Sequence, residues 1–406
     1  MKSSSRRRPP LWLAAAAVAS GWAALYAIAR WLILFVVGPV HEDVLMYYVA
    51  AETGLRHGWA AIYDQTTLKS VSSGFPEVAH IIDMHRPFAS SPLLAWLFAP
   101  LTAFPEPVAY AVWTLLSLAA LVLTWHLTAP YGGLAKATLL LLATGLWPVL
   151  LSFYFGQPIM LLLASVAGAW WLCNHDRPLA AGAALALATF LKPQALLLLP
   201  AALLLAGRYR MVAAWVTGCA TLGIATLVAL GPSGLVGWWH AIREVQGLPV
   251  DTEYTLVHLL GAGPVTYAVW IIQGAAALTV AWRRRRELEI VFAAGLIGTA
   301  ATASYFHEAD YSVLVLAAWL VLRTTPPLWH RLYLLAGIIP LQLLTFGARG
   351  FSPALDTAVH APQLIWDAGW LAILLAGGLA AKAVLGPGTS PAVEPEAVPT
   401  LKASSM

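Results

Sequence analysis

The chain has 406 residues, 60% of them hydrophobic and only 10% charged, with a mean hydropathy of +0.74 and 19 tryptophans. Such a composition excludes a soluble globule, which could not cover itself with polar surface. The formal net charge of +4 matters less than its distribution, and nothing in it points to a nucleic-acid partner.

In chain order, the first apolar run, 11–37, is too long for a signal peptide and is followed by no small-residue cleavage site, so it is expected to remain as a helix. Further runs lie at 107–128, 137–154, 158–173, 179–191, 194–207, 211–230, 264–282, 288–304, 311–322, 332–346 and 363–384. They give about twelve candidate transmembrane helices, since a hydrocarbon core about 30 Å thick asks for roughly 20 apolar residues; 179–191 and 311–322 are short. One more run, SSPLLAWLFAPLTAF at 90–104, carries Pro92 and Pro100 and has the length of an interfacial or re-entrant segment.

Placing that run on the surface and the N-terminus in the cytoplasm puts sixteen of the 23 Lys and Arg residues on the cytoplasmic side, including RRR at 6–8, GRYR and RRRR at 283–286. Counting it as a span would split those clusters across the membrane, which the positive-inside rule disfavours. The expectation is therefore an all-α polytopic membrane protein with both termini cytoplasmic. It has a single integral domain over 1–385, a long outer loop at 39–105, and a Pro-, Gly- and Ser-rich disordered tail over 386–406. Most acidic residues, Asp356 and Asp367 among them, then face outward. Cys173 and Cys219 sit in apolar runs without metal or disulfide spacing.

The outer side holds the chemistry. In the loop, Val44, Tyr47, Tyr48, Ala51 and Leu55 recur at helical spacing and predict an amphipathic helix laid on the membrane or on neighbouring helices, with Asp43 at its start. Asp43 is open to two readings, an N-cap and a reactive carboxylate. Lys192 interrupts ALALATFLKPQALLLLP just before a helix-breaking proline; a lysine there either faces a cavity or snorkels to the interface. Gln157, in the turn FYFGQPIM, either serves a ligand or satisfies helix-end carbonyls. His307, in SYFHEADYS, is a donor candidate for a phosphate or hydroxyl; with Asp310 it offers only two metal ligands, too few for a site. Outer cations are scarce: Arg56, Lys69, Arg86, Lys192, Arg243 and Arg349, with Arg30 inside the first run.

Taken in order, DVLMYYVAAETG, WAAIYD, RPFASSPLLAWLFAPLTAFP, GQPIMLLLA and LKPQALLLLP resemble the family 87 glycosyltransferases over roughly residues 20–210. The resemblance implies the GT-C fold and a membrane enzyme that takes a mannosyl or related hexosyl group from a polyprenyl-phosphate sugar and gives it to a lipid or glycan acceptor. It implies that Asp43 is the catalytic base and that the late outer-loop histidine is His307. This chain reads FASSP at 88–92 where the family often has an aromatic followed by Pro-Pro. The expected site is Asp43 as base, with Arg86, Gln157, Lys192, His307 and Tyr47 binding substrate, no metal and no cofactor. The site would face the periplasmic or extracellular side of the cell membrane. A transporter or flippase for a lipid-linked sugar is the alternative, and it would call for paired broken helices in two related halves.

Overall fold

A computed structural model describes residues 11–37, 41–75, 87–246, 252–346 and 352–384. They fold as helices, with no strand among them: α1 (Leu11–Val37), α2 (Glu42–His57), α3 (Gln65–Ser72), α4 (Pro92–Phe98), α5 (Glu106–Thr128), α6 (Gly133–Thr144), α7 (Trp147–Phe155), α8 (Ile159–Asn174), α9 (Pro178–Leu191), α10 (Leu199–Leu205), α11 (Tyr209–Gln246), α12 (Leu256–Leu260), α13 (Pro264–Arg283), α14 (Leu288–Ala301), α15 (Val313–Arg323), α16 (Leu328–Ala336), α17 (Ile338–Leu343) and α18 (Pro353–Val384). Short 3₁₀ turns at Trp59–Tyr63, Ala99–Ala103, Pro193–Leu196, Glu308–Ser312 and Leu344–Phe346 link them.

Each of the twelve apolar runs is helical. Among the described residues, four helices are long and apolar enough to cross a membrane: α5, α11, α13 and the Ala354–Gly377 part of α18. A fifth candidate is α6 with α7, bent by 61°. The side chains of α5 show which surface faces lipid. Its inward face carries Ala109, Tyr110, Trp113, Ser117, Ala120, Thr124 and Thr128, whereas Leu115, Leu116, Leu118 and Leu123 are exposed. Small and hydroxyl-bearing residues inside with large aliphatic ones outside is the arrangement expected where lipid replaces water and helices associate through close packing. Inward hydroxyls close on the helix itself, Thr124 Oγ1 to the Ala120 carbonyl at 2.8 Å and Thr128 Oγ1 to the Thr124 carbonyl at 2.6 Å.

At the centre lies α14, buried at every residue from Ile290 to Ala301 and packed by α10, α13, α15 and α18. Helix α9 is clasped between α8 and α11, and at Gly182 a side chain would collide with the backbone of Met211 in α11. The 90–104 run folds as α4 and the Ala99–Ala103 turn. Those twelve helical residues reach about 20 Å, short of a core of about 30 Å.

Of the two placements open for α2, on the membrane or on neighbouring helices, the helix takes the second: Val44 to Ala51 are all buried, with α3, α4, α5 and the Trp59–Tyr63 turn around them, whereas Leu55, placed on the apolar stripe, is exposed. Asp367, grouped with the outer acids, is fully buried along α18 and accepts from Gln363 Nε2 at 2.8 Å. The 386–406 tail lies outside the described residues.

Candidate active site

Helix breaks, each legible in local chemistry, converge on one place. Pro193 ends α9 at Lys192, because a proline has no N–H to donate and its ring disfavours a helical residue before it; Lys192 is accordingly extended, with φ −159° and ψ 86°. The chain then turns through Pro193–Leu196 into α10, and the Leu198 N–H released by the break is taken up by Thr299 Oγ1 on α14 at 3.0 Å. Helix α7 ends at Gly156, which is left-handed at φ +76°. A Cβ there would run into the Val44 side chain, so glycine both closes α7 and lets α2 approach the turn that carries Gln157. Trp113 Nε1 donates to the Gly156 carbonyl at 2.7 Å and fixes the turn against α5.

A third wall is the extended stretch leading into α4. Ser91 caps α4 through the Leu93 N–H and Pro92 starts it. The hydroxyl of Tyr63 donates to the Ser90 carbonyl at 2.7 Å, and Trp238 Nε1 donates to the Ala89 carbonyl at 3.1 Å. Rings of Phe88, Tyr63 and Trp238 stack in series, with centroids 5.4 and 5.7 Å apart. Trp238 comes from beyond Gly231 and Pro232, where α11 breaks, so the far part of this helix turns to wall the site.

Between these elements lies a cavity of about 530 Å³, within the usual range of small-molecule sites. Asp43, Tyr47, Gln157, Lys192 and His307 all line it. Gln157 bridges two of them: its Nε2 donates to Asp43 Oδ2 at 2.5 Å and its Oε1 accepts from Lys192 Nζ. Lys192 Nζ is ion-paired with Asp310 Oδ1 at 2.5 Å, and Asp310 Oδ2 accepts the backbone N–H of His307 at 3.1 Å. His307 Nε2 lies 3.0 Å from the Tyr305 hydroxyl, which also faces the cavity. A continuous polar chain thus runs from Asp43 through Gln157, Lys192 and Asp310 to His307. Burial, and next the Asp43 carboxylate, push the Tyr47 phenol well above its ordinary range, so it stays a neutral hydroxyl beside the acid.

Several open readings close here. Asp43 is not the N-cap of α2: His41 holds that position, and Asp43 sits in the first turn with its carboxylate on Gln157. The other charged groups of the described residues named above are engaged elsewhere. His41 pairs with Glu106 at 2.8 Å and stacks on Tyr110, Arg56 pairs with Glu52, and Asp64 caps α3. Arg243 lies over Trp239 and Arg30 over Trp147. Among the described residues, Lys192 is the cation on the cavity wall. Asp310 is not a metal partner of His307, being fully buried and committed to Lys192. Arg86 and Arg349 lie outside the described residues. Sequence reasoning missed the role of Asp310 as the counter-charge of Lys192, and it missed Ser90, Trp238 and Tyr305 on the wall. Only the aromatic richness of GWW and SYF hinted at the last two.

The family model of glycosyltransferase family 87 matches residues 88–306, more than half of the chain. The chain belongs to glycosyltransferase family 87. Neither the curated proteins nor the solved structures include a match to it. Family 87 membership makes this protein a glycosyltransferase rather than a transporter, and its apolar helices make it a membrane protein. The matched segment starts later than the resemblance in the sequence and runs further, taking in α11 to α14.

Proposed function

We propose that this family 87 enzyme moves a hexose, mannose in the first instance, from a polyprenyl-phosphate sugar to a lipid or glycan hydroxyl at the outer face of the cell membrane. Asp43 takes the proton from the acceptor hydroxyl as its oxygen attacks the anomeric carbon. The bond from that carbon to phosphate breaks, and the lipid phosphate leaves with the electron pair. One displacement inverts the anomeric centre. An alcohol is a poor nucleophile until deprotonated, so the acid is needed on the acceptor side. The leaving phosphate is a stable anion and needs donors rather than an acid: Lys192 and His307, with Arg86, serve it. Tyr47 and Gln157 orient the reacting groups.

The observation that carries this reading is that one amide, Gln157, holds both the carboxylate and the lysine on the wall of one cavity. A lipid donor would enter sideways, past half-buried Phe190 and the exposed Leu197 at the rim. We place the helices in a GT-C arrangement of about twelve spans with both termini cytoplasmic. The shorter ones, such as the 14-residue α9 and α14, would sit where protein and thinned lipid surround them. The deciding experiment uses the purified protein in lipid nanodiscs with radiolabelled polyprenyl-phosphate mannose and glucose and a mixed glycolipid acceptor. Asp43→Asn should lower transfer by about 10²–10⁴ while donor binding persists. Unchanged transfer by the folded variant would remove Asp43 from the mechanism.

A further inference from the structure

Beside the site, on the far side of the Tyr254–Glu308 hydrogen bond (2.6 Å), a second cluster of titratable groups plays no part in the transfer. Asp356 and His360 lie four residues apart in the first turns of α18 and so share one face. Helix α12 brings His258 against them. His258 Nε2 is 2.7 Å from Asp356 Oδ2, and His360 Nδ1 is 3.2 Å from Asp356 Oδ1. One ligand atom from each of the three lies within 4.8 Å of the others. The two imidazoles stand 5.1 Å apart at 69°, edge to face.

His360 is the telling member, because its side chain is 1% exposed and oxygens face both of its nitrogens. Nδ1 lies 2.9 Å from the Asp356 carbonyl as well as 3.2 Å from the carboxylate, and Nε2 lies 3.4 Å from Glu253 Oε1. A ring with a single N–H can donate to only one of those two sides. A cation resolves it differently: the Nδ1 lone pair, the Asp356 carboxylate and His258 Nε2 turn to the ion, and the Nε2 hydrogen turns to Glu253. A histidine ligand steadied by a carboxylate on its other nitrogen is the usual support of such sites.

We infer that His258, Asp356 and His360 form a structural site for a divalent transition-metal ion, zinc in the first instance, with Glu253 orienting His360. Two imidazoles and a carboxylate are a donor set that suits zinc, and exposed His258 leaves room for water to complete a tetrahedron. The ion would tie the 252–260 segment to α18. That segment carries Tyr254, whose hydroxyl donates to Glu308 and whose carbonyl accepts from Tyr311 at 2.7 Å, so the clamp steadies the turn that presents His307. It takes no part in proton transfer or in departure of the phosphate.

The test uses tag-free protein in detergent, stripped with a chelator, dialysed, and titrated with zinc chloride alone by calorimetry. One zinc per chain is expected, together with a rise in Tm on binding. His258→Ala, a change at an exposed position, should weaken binding at least tenfold and abolish the Tm rise. Cobalt(II) gives a second readout that needs no comparison of stabilities: intense visible bands of tetrahedral coordination in the parent protein, absent from His258→Ala. Asp43→Asn should bind zinc like the parent, which separates this inference from the assignment of the transfer site. No zinc uptake, or uptake and cobalt bands undiminished by His258→Ala, would overturn it.

Discussion

Lys192 is the point at which structure and chemistry are most entangled, and a double variant separates them. Its partner Asp310 is fully buried, at 0% accessibility, and the second oxygen of that carboxylate already takes the His307 N–H. Lys192→Met leaves a buried carboxylate without its counter-charge, which costs about 3–5 kcal/mol. Adding Asp310→Asn removes the orphaned charge but keeps an oxygen for His307, so most of that loss should return. The activity should not return with it. If Lys192 stabilises charge on the departing phosphate, its loss lowers kcat by about 10²–10³, the effect of removing one preorganised donor. Scanning fluorimetry of the detergent-solubilised protein and transfer kinetics at saturating donor give the two readings side by side. Recovery of both Tm and kcat in the double variant would refute the assignment and leave Lys192 a purely structural ion pair. A single variant as stable as the parent would refute the buried pair itself.

Gly156→Ala should lower both Tm and transfer, because the new Cβ meets Val44 at a left-handed position and pushes α2, with Asp43, away from Gln157; normal kinetics would show that α2 is not held there. Gln157→Leu cuts the bridge without adding charge and should depress kcat by roughly 10-fold or more with donor binding less affected, measured by single-turnover transfer. For Glu308, burial raises the carboxyl from 4.5 to about 7, with the Tyr254 hydrogen bond opposing it. The folded chain therefore holds this proton more tightly than the unfolded one. That contribution, roughly 3 kcal/mol at most, is full below about pH 4.5 and is lost as pH rises through about 7. Glu308→Gln, which can still accept from Tyr254, should flatten Tm against pH across that window; an unchanged profile would mean that Glu308 ionises normally.

What could be read from the sequence was local. Proline at 193 and glycine at 156 dictate breaks whatever surrounds them, so the turns that carry Lys192 and Gln157 were legible from composition and spacing. The depth of α2 was not, because Val44, Tyr47, Tyr48 and Ala51 satisfy a surface stripe and a buried face equally well. Only the packing of α3, α4 and α5 around it decides, and it leaves Leu55 outside. The link between Asp43 and Gln157 spans 114 positions and that between Trp238 and Ala89 spans 149; no periodicity encodes such pairs. Asp310 was hidden for the same reason. In the sequence it neighbours a histidine and suggests a ligand pair, whereas in the fold its oxygen is spent on a lysine from another helix.

The family match covers 88–306 and so contains Gln157 and Lys192, yet both carboxylates that hold this pair come from outside it: Asp43 upstream and Asp310 downstream. A chain reduced to the matched segment would bury Lys192 with no counter-charge and leave Gln157 with nothing to donate to, an arrangement that folding energetics reject. The cooperative unit of the site therefore runs at least from residue 43 to residue 310. Its first part enters by packing α2 onto a glycine turn, and its last by setting the 3₁₀ turn Glu308–Ser312 against α7. Helix α2 is thus part of the site's framework, and substitutions at its buried positions, such as Val44, should be felt at Gln157 as directly as substitutions in the matched segment itself.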